Sequence, residues 1–293
     1  MKPTYQEYKA RYILNVHKHV DSWFFDKYSA HPYRGCTFGC AFCYCRETRY
    51  LGGRDPEAFD RTIRVKVNAA ERLRRELADE PLDVISCGDW QVPAERDYRL
   101  SRRMLEVVHD LGFPLFIVER SPLLTRDLDL LVEINRRAWV GVAYSISTLG
   151  PSIKHAFEAK SPGVRLRLTA MAELAEAGIL VGTALMPILP GIADDDAHLE
   201  EVIVATKEHG GRFVLAGGLT MSGPQAEQVW RVVDRLFPQA HPLYERLYAG
   251  NAYTPPRGYI SDLGRRVRAL CEKHGEADRM PRWIPSGPLG VNR

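Results

Sequence analysis

Short apolar runs alternate along most of this chain with longer stretches whose apolar residues recur every three or four positions. Asp83–Cys87 reads as a strand, and Arg96–Leu111 as a helix carrying Leu100, Met104, Val107 and Val108 on one face. Leu115–Val118 is the next apolar run, followed by a helix over Thr125–Asn135 that aligns Leu128, Leu131 and Ile134. Trp139–Ser145 comes next, then a helix over Leu166–Ala177 stopped by Gly178. Ile179–Met186 is closed by Pro187 and Pro190, and a helix over Asp195–Glu208 and a strand over Arg212–Ala216 end the series. Runs apolar on both faces belong to a parallel sheet covered by helices. With the extended stretch Tyr28–Gly35 ahead of them, they make six βα units and predict an α/β fold. Arg54–Glu80 reads as an inserted strand or turn plus a charged helix. Helical additions are expected at both ends, over 1–27 and 219–293. The second holds helices over Gln225–Leu236 and Asp262–His274 and a proline-rich tail, Pro281–Pro288.

Composition narrows the class without naming a chemistry. A chain of 293 residues that is 45% apolar can bury one large core. A net charge of +3 neither demands nor excludes nucleic acid, because a groove that tracks phosphates needs local positive charge. Six cysteines behind a start that lacks an apolar leader, Met1–Gln6, point to a reducing compartment. No apolar run approaches the ~20 residues that span a bilayer. A soluble, cytoplasmic protein without a membrane partner is the expectation.

The chemistry enters with Cys36-Thr37-Phe38-Gly39-Cys40-Ala41-Phe42-Cys43. This C-x3-C-x2-C spacing folds three thiolates around one centre. On a [4Fe–4S] cluster three protein ligands leave one iron open, which suggests chemistry rather than electron storage. The run follows an extended, turn-ended stretch, where barrel enzymes carry their reactive loops. Cys45 makes a four-thiolate zinc site the competing arrangement, although no second C-x2-C knuckle accompanies it. A disulfide is disfavoured by how closely the cysteines follow one another.

The spacing, the aromatic Phe42 and the preceding strand resemble the radical S-adenosylmethionine superfamily. The flanks, Pro32-Tyr33-Arg34-Gly35-Cys36 and Cys43-Tyr44-Cys45-Arg46, resemble its spore photoproduct lyase-related branch. His31, Phe38, Phe42 and Cys45 stand where that branch carries Asn, His, Tyr and Ala. The resemblance implies an open, partial (βα)6 TIM-type barrel over 28–218. It also implies a [4Fe–4S] cluster on Cys36, Cys40 and Cys43, and S-adenosylmethionine chelated by the open iron. Reductive cleavage would then give a 5′-deoxyadenosyl radical, fed by an electron donor such as flavodoxin or ferredoxin.

Further motifs match the branch at their intervals. Asp89, Gln91, Pro93 and Glu95 follow the second barrel strand, and the resemblance points Asp89 at the methionine amino group. Arg120, after the third strand, is the cation for the methionine carboxylate, where a guanidinium fork binds bidentately. Arg167 serves the same carboxylate or pairs with Glu158, and Ser145 and Ser147 face the ribose or the methionine. Met186–Gly191 is a stiff turn suited to the adenine. Cys87 lies close to where spore photoproduct lyase keeps its hydrogen-donating cysteine, one position out of register. Each has a plain alternative: a loop turn for Asp89, a surface arginine for Arg120, a salt bridge for Glu158, a small buried residue for Cys87.

The leading reading is therefore a radical enzyme that abstracts hydrogen from an unidentified substrate. DNA photolesion repair is an alternative, with Tyr33, Tyr44, Arg46, Arg49, Tyr50 and Trp90 as an aromatic, basic rim. Tyr244, Tyr248, Tyr253 and Arg257 equally suit a wall for a small molecule or peptide. A non-catalytic zinc or iron–sulfur module that binds nucleic acid is the alternative from another class. An auxiliary-cluster maturase is disfavoured, because Cys87 and Cys271 stand isolated.

Overall fold

The first strands come from the N-terminal addition, whose Thr-Tyr-Gln-Glu-Tyr run pairs along its whole length with a later strand. The computed structural model describes residues 2–88 and 90–284; Asp89 and the end of the proline-rich tail lie outside them. β1 (Thr4–Tyr8) pairs in parallel with β5 (Thr62–Lys66), which pairs antiparallel with β4 (Tyr33–Arg34). β2 (Leu14–Val16) runs antiparallel to β3 (Tyr28–Ala30) at the edge of the large sheet. The expected N-terminal helical addition is thus made of strands among the described residues.

From β3 onward the apolar runs pair in chain order. β6 (Ile85–Gly88), β7 (Leu115–Glu119), β8 (Val140–Ser145), β9 (Leu180–Ile188) and β10 (Val214–Gly218) each lie parallel to the strand before. The seven-stranded order β10-β9-β8-β7-β6-β3-β2 is the partial barrel with one antiparallel edge. Every residue of β8 is buried, as a central parallel strand requires. Register separates the two faces. Cys87, Ile117, Val142 and Val181 form one lateral row, packed with Met104, Leu105, Leu131 and Leu174 of the covering helices. Phe116, Ala143, Ala184 and Leu215 face the other way, against Phe24, Phe25 and Met280 from the two additions. Phe24 and Phe116 stack with centroids 5.6 Å apart.

Several boundaries move for local reasons. The helix expected over Arg96–Leu111 is Glu95–Tyr98 and Leu100–Leu111, divided at Arg99, whose φ is 49°. The Glu95 carboxylate folds back to accept from the Ser101 backbone N–H at 2.9 Å, capping the second helix. The helix expected from Thr125 begins as a 3-10 turn, Pro122–Asp127, whose Leu123 N–H the Ser121 hydroxyl accepts. β9 continues past Pro187 to Ile188; proline lacks an N–H, and the β9–β10 ladder shifts register there. Helices Pro151–Glu158 (8 residues) and His241–Leu247 (7 residues) are short and are not among the expected elements.

The expected single stretch Tyr28–Gly35 divides between the two sheets. Pro32 ends the pairing of β3 and turns the chain toward β5. Gly35 then enters the cysteine loop at φ +90°, where a Cβ would meet the Phe59 carbonyl at 2.7 Å and that of Thr62 at 3.0 Å. Gly35→Ala is expected to destabilise the fold by about 3 kcal/mol through backbone strain and this contact. Urea unfolding checks it; wild-type stability in the variant would contradict the close approach.

Candidate functional site

Cys36, Cys40 and Cys43 lie on one irregular loop between β4 and the 3-10 turn Tyr44–Arg46. Tight backbone bonds shape it: Gly39 N–H to Cys36 O at 3.2 Å, Cys43 N–H to Cys40 O at 3.3 Å, and Arg46 N–H to Cys43 O at 3.0 Å. The Arg46 guanidinium donates from Nε to Cys40 O at 3.3 Å and sits 4.6 Å from the Phe59 ring centroid. Cys40 is buried, and Cys36 and Cys43 are half-buried; none of the six cysteines is in a disulfide. Phe38, Ala41, Phe42, Phe157, Leu189 and Met221 surround the loop with apolar surface. Soft thiolate donors in an apolar shell fit an iron–sulfur cluster. Thiolates that each bind a different iron also stand further apart than the donors of one ion. Among the described residues, no three His, Cys, Asp or Glu side chains are placed to share a single ion.

The loop is tied to the end of β7 through aromatic and ionic contacts. Phe42 stacks on Phe157, centroids 6.2 Å apart, and the Ala41 N–H donates to Phe157 O at 2.8 Å. Arg120 lies over the Phe42 ring at 5.1 Å and reaches Glu158 Oε2 at 3.3 Å. The same carboxylate oxygen accepts from Arg167 at 2.6 Å and from the Ser161 hydroxyl at 2.7 Å. Burial pushes the Glu158 carboxyl up, but Arg120, Arg167 and Ser161 outweigh it, so it stays below the ordinary glutamate range. Arg167 is fully buried and also donates to Ser145 O at 2.7 Å and Pro162 O at 2.8 Å. Arg120, Glu158, Arg167 and Ser145 are therefore brought together. Arg167 spends Nη1 and Nη2 on protein partners while its Nε is buried without one, and Arg120 keeps a partly exposed side chain.

Ser145 and Ser147 close β8. The Ser145 hydroxyl donates to Met186 O at 3.2 Å, whereas the Ser147 Oγ is buried with no protein partner. Cys87 is placed elsewhere: its row points at the helices, and burial, then the Glu119 carboxylate, push its thiol well above the ordinary range. Strand side chains alternate, so the one-position offset noted in the sequence decides this face. Asp89 lies outside the described residues, between Gly88 and a buried Trp90 whose ring N–H donates to Ala30 O at 2.5 Å.

The remaining branch-matched residues form a buried lattice behind the strand ends. Glu95 accepts from the Tyr33 hydroxyl at 2.5 Å and from Arg126 at 2.9 Å. The Gln91 amide donates to Asp127 at 3.1 Å, its backbone N–H donates to Glu119 at 2.7 Å, and Arg126 and Arg102 both pair with Asp127. These residues fix the loops after β6 and β7. Apart from the adjacent Arg126 and Asp127, the partners are 25 to 62 positions apart, which leaves no local sequence signal.

The C-terminal addition meets the segment just beyond the cysteine loop. Gln225 donates to Phe42 O at 3.3 Å, Arg49 donates to the Tyr253 hydroxyl at 3.0 Å, and that hydroxyl donates to Glu47 at 3.2 Å. Glu47, Thr48, Arg49, Ser222 and Tyr253 line an open cleft of about 310 Å³ there. Of the aromatic residues expected at a rim, Tyr44, Tyr50 and Tyr253 are exposed, while Tyr33, Trp90, Tyr244 and Tyr248 are buried. No helix among the described residues is long and apolar enough to cross a membrane.

Comparison with known proteins places this geometry. The family model of the radical SAM superfamily matches residues 31–203. An uncharacterised protein of Mycobacterium tuberculosis is 29% identical over 254 residues, 85% of this chain and 74% of the relative. One from Methanocaldococcus jannaschii is 28% identical over 183 residues, 62% of this chain and 66% of the relative. Among solved structures, spore photoproduct lyase complexed with dinucleoside spore photoproduct superposes with a TM-score of 0.67. That match has 16% identity and covers 92% of this chain and 79% of that one. Streptococcus suis SuiB bound to the precursor peptide SuiA gives a TM-score of 0.55 at 11% identity, covering 86% of this chain and 47% of that one. At such identities the likeness is one of fold.

Proposed function

This chain belongs to the radical SAM superfamily, and from that membership we propose that it abstracts hydrogen from a substrate held where the cysteine loop meets the ends of β6 to β9. It is a radical SAM enzyme, and its cofactors are a [4Fe–4S] cluster and S-adenosylmethionine. When bound, they supply one-electron cleavage of the sulfonium and a 5′-deoxyadenosyl radical. The chain's own residues position and shield. Cys36, Cys40 and Cys43 are the proposed ligands. The apolar shell of Phe38, Phe42 and Leu189 keeps water from the reacting centre. Arg120 is proposed to meet the methionine carboxylate with its partly exposed side chain, and Asp89 the amino group. Ser147 offers a buried hydroxyl, desolvated and without a protein partner, to a ribose or methionine oxygen. Arg167 is assigned to hold Glu158, and the hydrogen-donor role of Cys87 is not carried forward. A reductant and a substrate are the required partners.

The single observation that carries this reading is the unbridged three-cysteine loop, half-buried in apolar surface and joined through Phe42 to Arg120. The test is anaerobic reconstitution with iron and sulfide, followed by EPR of the reduced protein with and without S-adenosylmethionine. A cluster signal that shifts on addition, with 5′-deoxyadenosine found by chromatography, is the expected result. Retention of zinc, or a cluster signal indifferent to S-adenosylmethionine, would overturn it.

A further inference from the structure

The small sheet turns one face into the main core and carries cations on the other. Tyr33, Ile63 and Val65 point into the main core. Arg64 and Lys66, two positions apart on β5, share the opposite face, and Arg34 on β4 stands directly across from Arg64. Tyr8 of β1 stands across from Lys66, and the Arg64 guanidinium lies 4.2 Å from its ring centroid. Like charges directly opposite one another weaken a strand pair. Arg54 joins them from the segment after the cysteine loop, anchored by its Nε to Leu51 O at 2.7 Å and by Nη2 to Tyr50 O at 3.3 Å.

These cations lack the usual compensation. Among the described residues, no carboxylate forms an ion pair with Arg34, Arg54, Arg64 or Lys66. Lys66 is only 6% exposed. Glu76, the carboxylate that acts on Lys66, is engaged with the Ile13 and Leu14 N–H groups at 3.0 and 2.8 Å. The electrostatics agree with a crowded cluster. Burial, then Arg34, pulls the Lys66 ammonium down to about 8; burial, then Arg34 and Arg64, lowers Arg54. The cluster also adjoins the reaction site. Arg34 is two residues before Cys36, and His31, which feels Lys66 and Arg34, has Nδ1 3.3 Å from Gly88 O at the end of β6.

We propose that Arg34, Arg54, Arg64 and Lys66 form a binding site for a phosphate-type oxyanion carried by the substrate. Guanidinium forks match the oxygens of phosphate, and several cations gathered on one sheet face favour a compact, multiply charged group. A lysine this buried is out of reach of carboxylates spread over an acidic protein's surface. The substrate role rests on the radical reading above, whereas binding of the oxyanion does not.

The test is calorimetric titration of the reconstituted protein with inorganic pyrophosphate at fixed ionic strength, with and without saturating S-adenosylmethionine. Saturable binding is expected, unaffected by S-adenosylmethionine and weakened at least about tenfold in Arg64→Gln/Lys66→Met. That variant should melt no lower than wild type in chloride, since it relieves like-charge crowding, so lost binding will not be lost folding. A parallel titration with oligothymidylates separates two supporting outcomes. Affinity that does not rise with length identifies a small phosphorylated substrate, and affinity that does identifies a nucleic-acid backbone. Pyrophosphate behaving like chloride, binding untouched by the double substitution, competition by S-adenosylmethionine, or saturation by polyglutamate alone would each overturn the proposal. No turnover is read, so failure here and failure of the radical chemistry are told apart.

Discussion

Alanine at any one of Cys36, Cys40 or Cys43 is expected to strip most of the iron from the reconstituted protein and to lower 5′-deoxyadenosine formation more than about a thousandfold. The reasoning starts from ligand number. Three thiolates are already one short of the four that hold a storage cluster, so removing another leaves two irons without protein ligands. A thousandfold loss corresponds to about 4 kcal/mol of barrier, which amounts to losing the step that makes the radical. Iron analysis and chromatography of the quenched reaction read the two effects separately. Cys45→Ala is the control. It sits on the 3-10 turn after the loop, and with three ligands supplied upstream its loss should leave iron content near wild type. If Cys45→Ala matched the other three, and zinc accompanied all four, a tetrahedral four-thiolate site would explain the motif better.

What the sequence revealed and what it hid differ by the range of the interaction. Strands such as Val140–Ser145 were legible because burial on both faces leaves an unbroken apolar run. The cysteine loop was legible because its ligands lie within eight residues of one another. β4 was hidden: it is two residues long and exists only because β5, some thirty positions later, pairs with it. The cationic face was hidden for the same reason, since Arg34 meets Arg64 through strand register alone. Glu95 matched the branch at its interval, but nothing local tells that it bonds to Arg126, itself paired with Asp127, rather than to a ligand. Cys87 was a question of parity, which lateral register decides and composition does not.

Arg167 divides the structural from the cosubstrate-binding reading, and Arg167→Met is expected to cost about 3–5 kcal/mol of stability. Its guanidinium is fully buried and holds Glu158, Ser161, Ser145 O and Pro162 O together. Methionine fills much of the volume but leaves a buried carboxylate with Arg120 as its remaining cation, so the penalty is that of an under-compensated charge. Arg167→Met/Glu158→Leu should recover part of the loss, because removing both partners of a buried pair is far cheaper than removing one. Glu158 is held below its ordinary range in the fold. Its contribution is therefore present above the unfolded glutamate pKa of about 4.3 and lost as pH falls through the lower folded value. The double variant should accordingly lose less stability between neutral pH and pH 3 than wild type does. Urea unfolding at the two pH values measures all three proteins. Arg120→Met, by contrast, removes a partly exposed partner and should weaken S-adenosylmethionine binding more than it weakens folding. An Arg167→Met protein as stable as wild type that had lost S-adenosylmethionine binding would reverse the two roles, moving the buried guanidinium into the cosubstrate site and leaving Arg120 as the strut.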